Sequence, residues 1–161
     1  MIKLNVQDET SRLRAVVLGT AISNGPIPTV QEAYDPKSLE HIKAGTYPKD
    51  EDMIAEMDAF NKVFEKYDVK VYRPEVIENY NQIFSRDIAF VIEDKLFKSN
   101  ILPDREKEID AIQHVINQVD ESKIIKTSND IHFEGGDVML WNNHIFIGTY
   151  KGEDYAKLIT A

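Results

Sequence analysis

The sequence predicts an α/β fold assembled from hairpin-plus-helix units. Short β-branched runs alternate with stretches whose apolar residues recur every three or four positions. Two hairpins also resemble each other. Setting Asp87 over Asp137 brings Ile88 over Val138, Phe90 over Leu140 and Leu96 over Phe146, a spacing of fifty residues. With 42% hydrophobic residues, the 161-residue chain has enough apolar material for one real core.

Leu13 to Gly19 reads as a buried strand closed by glycine, followed by a loop broken at Gly25, Pro26 and Pro28. Ala33 to Asp50 is polar, carries Pro36, Gly45 and Pro48, and reads as a long loop over a site. Met53, Ile54, Met57, Phe60, Val63, Phe64 and Tyr67 then place one apolar face on a helix, with Asp50 as its cap. Asp50, Glu51 and Asp52 put favourable charge at its start. Val69 to Tyr72 is the next strand. Ile88–Ile92, a turn at Glu93 and Asp94, and Lys95–Lys98 form the first hairpin. One helix is expected from Asp104 to Val119, after Pro103, with Ile109, Ile112, Val115, Ile116 and Val119 inward. Ile124 and Ile125 suggest a strand. Val138–Trp141, Asn142–Asn143 and His144–Gly148 form the second hairpin. Glu153 to Ile159 reads as the first turns of a further helix.

The expectation is therefore a single incomplete domain over residues 1–161, of about three units and truncated at its C-terminus. Ending mid-unit leaves an open strand edge, so self-association through that edge is expected.

The net charge of −9 makes nucleic acid a poor partner. No apolar run is long enough for a bilayer, and Met1–Asn5 lacks a signal-peptide core, so no membrane partner and a cytoplasmic location are expected. With no cysteine, the chain has no disulfide, thiolate metal site or thiol nucleophile of its own. The carboxylates do not match a metal-binding loop, and no metal or other cofactor is implied.

Two segments carry the chemistry: Phe84-Ser85-Arg86-Asp87 and Phe133-Glu134-Gly135-Gly136-Asp137. Each puts a carboxylate just before a strand that should be buried, where charge is costly unless paired. Gly135 and Gly136 allow a sharp turn or close approach of a ligand. If the units surround an axis, Asp87 and Glu134 converge on one small site. Two carboxylates aimed at one cavity suit a guanidinium ion, whose planar N–H fork donates to paired oxygens.

These segments, with the opening Ser11-Arg12-Leu13-Arg14-Ala15-Val16-Val17-Leu18-Gly19, resemble the guanidino-modifying enzymes: arginine deiminases, dimethylarginine hydrolases and amidinotransferases. The resemblance covers the front half or so of such a protein. It implies the pentein fold, an α/β propeller of five similar units, and attack of a cysteine thiolate on the guanidinium carbon with a histidine moving protons. It gives Asp87 the role of holding guanidinium nitrogens, and Glu134 the catalytic role of contacting the guanidinium and orienting the histidine. Arg86 would shape the site or hold a substrate carboxylate, while Gly135, Gly136 and Asp137 form the structural motif and Asp137 brackets the bend. The small-molecule partner implied is an arginine-like guanidino compound.

The sequence departs from that pattern in having neither the cysteine nor a histidine in the His-hydrophobic-Asp context. His132 and His114 read as structural, His144 as a hairpin residue and His41 as a loop residue, while Trp141 reads as hairpin packing. The expected function is the N-terminal part of a hydrolase or transferase, inactive alone. The alternatives are a ligand-binding module without chemistry and a pentein-shaped interaction protein.

Overall fold

A computed structural model describes residues 1–33, 36–101, 103–128 and 131–149. The expected helix at Glu153–Ile159 lies outside them. Strand β1 (Ala15–Val17) pairs in parallel with β2 (Lys70–Tyr72). Between them come helix α1 (Pro36–Ala44) and helix α2 (Asp50–Lys66). The region expected as a long loop thus contains α1. Pro36 sits at its first position, where a missing N–H costs nothing.

Helix α2 follows the apolar spacing, and Asp50, Glu51 and Asp52 occupy its first turn. Asp50 is inside the helix rather than its cap. The N-cap is Lys49, which makes no side-chain capping bond. The expected inner face is only partly covered, with Phe60 and Tyr67 exposed.

A helical turn α3 (Ser85–Ile88) leads into β3 (Ala89–Ile92). Ile88, expected as the first strand residue, is helical and buried. β3 turns back through Glu93, at φ 52°, into β4 (Lys95–Lys98), whose outer edge pairs in parallel with β5 (Ile124–Lys126).

The connecting helix expected over Asp104–Val119 is broken. A 3-10 turn at Pro103–Arg105 precedes the short helices α4 (Lys107–Asp110) and α5 (Gln113–Ile116). Ile112 leaves helical geometry between them, at φ −106°. Ile109, Ile112, Val115 and Ile116 are all β-branched and lose side-chain freedom in a helix, so packing dictates the local path. The inward positions are nevertheless right. Ile88, Leu96, Ile101, Ile112 and Ile116 form the central cluster, whereas His114 points out and is exposed.

A 3-10 turn at Gly135–Asp137 then leads into the hairpin of β6 (Val138–Trp141) and β7 (His144–Ile147). Asn142 opens its turn at φ 51°. The two hairpins are equivalent, but the offset is 49 residues rather than fifty. Asn142 matches Glu93, and the bond from Gly148 N–H to Asp137 O matches that from Ser99 N–H to Ile88 O. Asp137 therefore corresponds to Ile88, and Asp87 to Gly136. Superposing aspartate on aspartate misplaced the register by one position.

Units join through short backbone contacts. Thr20 bridges to Gln82, and Asn100 to Phe133. Ser85 Oγ donates to Val17 O at 2.7 Å. A side chain on Gly19 would collide with the carbonyls of Gln82 and Ile83, which explains the glycine after β1.

Candidate guanidinium site

The turn α3 carries Asp87, and the residue before Gly135 is Glu134. The structure brings these two carboxylates to one partner, the Arg105 guanidinium. Arg105 Nη1 donates to Asp87 Oδ2 at 3.0 Å and to Glu134 Oε1 at 3.5 Å. The other side of the same group faces Glu108. Nε donates to Oε1 at 2.7 Å and Nη2 to Oε2 at 3.2 Å, a bidentate fork. One planar cation therefore meets carboxylates from three segments of the chain.

Burial sharpens the electrostatics. At the side chain Glu108 is only 3% exposed, Arg105 and Asp87 are 18% and 19% exposed, and Glu134 lies nearer the rim at 29%. Burial pushes the Glu108 carboxyl above its ordinary range, opposed by Arg105. Burial also raises Glu134, with Arg105 opposing and Asp87 reinforcing the shift. For Arg105 burial works against the charge, but hydrogen bonds and attraction from Glu108 and Asp87 more than offset it, and its affinity for the proton rises. Three carboxylates share one guanidinium, so with all of them ionised two negative charges are left over.

The glycines serve close approach between units rather than an unusual φ. A Cβ on Gly135 would collide with Arg86 O and the Phe90 ring, and one on Gly136 would sit 2.5 Å from Asp87 Oδ1. Neither residue has positive φ. The pair lets the turn at Gly135–Asp137 press against α3, which sets Glu134 beside Asp87.

Arg86 fastens the same contact. Its Nε donates to Gly135 O at 2.9 Å, and its Nη2 donates to Val138 O at 2.7 Å and Glu9 Oε1 at 3.1 Å. Glu9 also accepts from the Leu140 N–H. Arg86 thus ties the α3 turn to Gly135, Val138 and Glu9. Asp137 closes the bend through its backbone, donating to Glu134 O and accepting from Gly148 N–H.

Arg105 and Glu108 were not anticipated. The available signal was a glutamate at an inward position of an apolar helical pattern, three residues from an arginine. His132 and His144 are exposed, and His41 meets Thr46 Oγ1 at 2.9 Å. Trp141 lies within 6.2 Å of the Phe146 ring centroid, yet is 61% exposed.

No protein-family model matches this sequence, and neither does any curated protein. Solved structures do match. The inosamine-phosphate amidinotransferase of Streptomyces griseus superposes with TM-score 0.64 at 16% identity, covering 97% of this chain and 59% of that one. The saxitoxin-pathway amidinotransferase of Microseira wollei gives 0.62 at 15% identity, covering 88% and 55%. The dimethylarginine dimethylaminohydrolase of Pseudomonas aeruginosa gives 0.59 at 12% identity, covering 90% and 54%. This chain shares the pentein fold of these solved structures. It spans a little over half the length of those pentein chains. The described residues form three small sheets, none of which closes on itself. No helix among the described residues is long and apolar enough to cross a membrane.

Proposed function

We propose that this chain is the N-terminal part of a guanidino-modifying enzyme, a deiminase or hydrolase or an amidinotransferase, acting on an arginine-like compound. In this reading residues 1–161 form an incomplete propeller of about three units. The carrying observation is that Asp87 and Glu134 already share one guanidinium and remain short of positive charge. A substrate guanidinium would supply one of the missing charges, with Asp87 and Glu134 as its acceptors, while Arg105 keeps its fork on Glu108.

The covalent step requires a thiolate and a proton carrier. A cysteine attacks the guanidinium carbon, the displaced amine leaves with a proton, and water or an acceptor amine resolves the adduct. This sequence contains no cysteine and no histidine in a His-hydrophobic-Asp context, so both groups would come from polypeptide outside it. Glu134 then orients the histidine from its place beside the guanidinium. Alone, the chain binds and does not turn over. A cytoplasmic working place belongs to the same proposal.

The lack of a cysteine also favours a second reading, a module that holds an arginine-like ligand without chemistry. Calorimetry and product assays with arginine, agmatine and dimethylarginine test both. Heat without product from the chain alone is expected. No heat with any of the three, from a folded sample, would remove both readings.

A further inference from the structure

Arg105 already does to Asp87 and Glu134 what a guanidino ligand would do. One nitrogen of its guanidinium, Nη1, touches both carboxylates, Asp87 Oδ2 at 3.0 Å and Glu134 Oε1 at 3.5 Å. The chain thus places a cation of its own in the gap between the two acceptors. A second cation brought to that gap meets Nη1, a like charge at short range.

The two halves of the Arg105 grip are unequal. Toward Glu108 it is a fork of two bonds, Nε to Oε1 at 2.7 Å and Nη2 to Oε2 at 3.2 Å. Glu108 lies three residues along the same short stretch of turn and helix and is buried, so this half is local and shielded from water. Toward Asp87 and Glu134 the grip rests on Nη1 alone. Those partners lie 18 and 29 residues away in sequence, and the bond to Glu134 is at the long limit for a hydrogen bond. Glu134 is also the most exposed of the three carboxylates. Asp87 has little room to turn aside, because its Oδ1 lies close over Gly136. A tilt of the guanidinium about the Glu108 fork, by contrast, lifts Nη1 out of the gap and keeps both Glu108 bonds.

Resting on the reading of Asp87 and Glu134 as guanidinium acceptors, we propose that Arg105 is an internal competitor for their ligand. Nη1 fills the gap between the two carboxylates, and a guanidino compound binds by displacing it, while the Glu108 fork retains the displaced arginine. Binding is then an exchange of one guanidinium for another. The apparent affinity is the intrinsic affinity multiplied by the fraction of the time that the gap is open. Glu108 raises that fraction, since it anchors Arg105 and draws the guanidinium charge away from Asp87 and Glu134.

Titration calorimetry with agmatine compares the parent with Arg105→Met/Glu108→Gln, which removes the competitor together with the buried acid it would strand. The variant should bind agmatine roughly tenfold more tightly, the gain expected for a gap open about a tenth of the time. Side-chain NMR of the unmodified chain gives a second measurement. Saturating agmatine should speed hydrogen exchange at the Arg105 Nη1 protons and leave the Nε proton, held by Glu108, protected. Equal or weaker binding by the folded variant overturns the proposal, since Arg105 then aids the ligand or ignores it. So do Nη1 protons that bound agmatine leaves unchanged in the parent, whether the variant fails to fold or binds more tightly; the latter marks a gain from net charge alone. Agmatine bound by neither protein overturns the guanidinium reading itself, and the proposal with it.

Discussion

Replacing Arg105 with methionine removes the one cation that three carboxylates share. Glu108 is the costly partner, since its side chain is 3% exposed and loses both hydrogen bonds of its fork. Removing one member of a buried pair costs about 3–5 kcal/mol. The lower end applies, because Glu108 is already raised toward protonation by burial and can escape by taking up a proton. A loss of about 3 kcal/mol lowers the melting temperature by roughly 6–12 °C for a chain of this size. The pH dependence has a definite sign. A carboxyl raised in the folded state favours folding below its unfolded pKa, and that contribution is lost as pH rises through the folded value. In Arg105→Met, Glu108 rises further, so the deficit is largest near neutrality and shrinks toward about pH 4. Arg105→Met/Glu108→Gln should recover most of the loss. Methylguanidine, but not methylammonium, should restore part of it, about 1.4 kcal/mol at ten times its dissociation constant. Thermal melts between acid and neutral pH read all of this. A melting temperature for Arg105→Met within about 2 °C of the parent at pH 7 would refute the reasoning, since a shared buried cation cannot be lost so cheaply.

Gly135→Ala should cost about 1–3 kcal/mol in denaturant unfolding, because the new methyl meets Arg86 O and the Phe90 ring. Gly136→Ala should spare stability more but weaken guanidino-ligand binding, since it displaces the Asp87 carboxylate; titration calorimetry separates the two variants. Arg86→Met, which abandons acceptors on Gly135 and Val138 but is half exposed to water, should cost about 1–2 kcal/mol and speed amide exchange in β6. Ligand affinity should rise with pH as Glu134 ionises above the ordinary glutamate range and then level off, and Glu134→Gln should flatten that profile.

Local signals were readable where the local pattern also dominates the fold. The acidic start and apolar spacing of α2, the Asn142 turn and the β-branched run at Ile124 and Ile125 all appear where expected. The broken helix after Pro103 was not readable, because apolar spacing reports which side faces inward and not whether β-branched residues hold a regular helix. α1 carried a signal in Pro36 with Leu39 and Ile42, outweighed by the polar residues around it. In the site, Asp87 and Glu134 were visible because carboxylates before buried strands demand partners. Arg105 was not, since it reaches them across 18 and 29 residues of sequence. The repeat offset is 49 rather than fifty because turn geometry, not the matching of aspartates, fixes hairpin register.

A double-mutant cycle at Asp87 and Glu134, read by calorimetric titration with agmatine, asks most directly whether the two carboxylates act on a single flat cation. Asp87→Asn and Glu134→Gln should each weaken binding, and their combined loss should differ from the sum by about 1 kcal/mol or more, because both groups contact the same ligand. Strictly additive losses, or an affinity untouched by either change in a folded protein, would contradict the account.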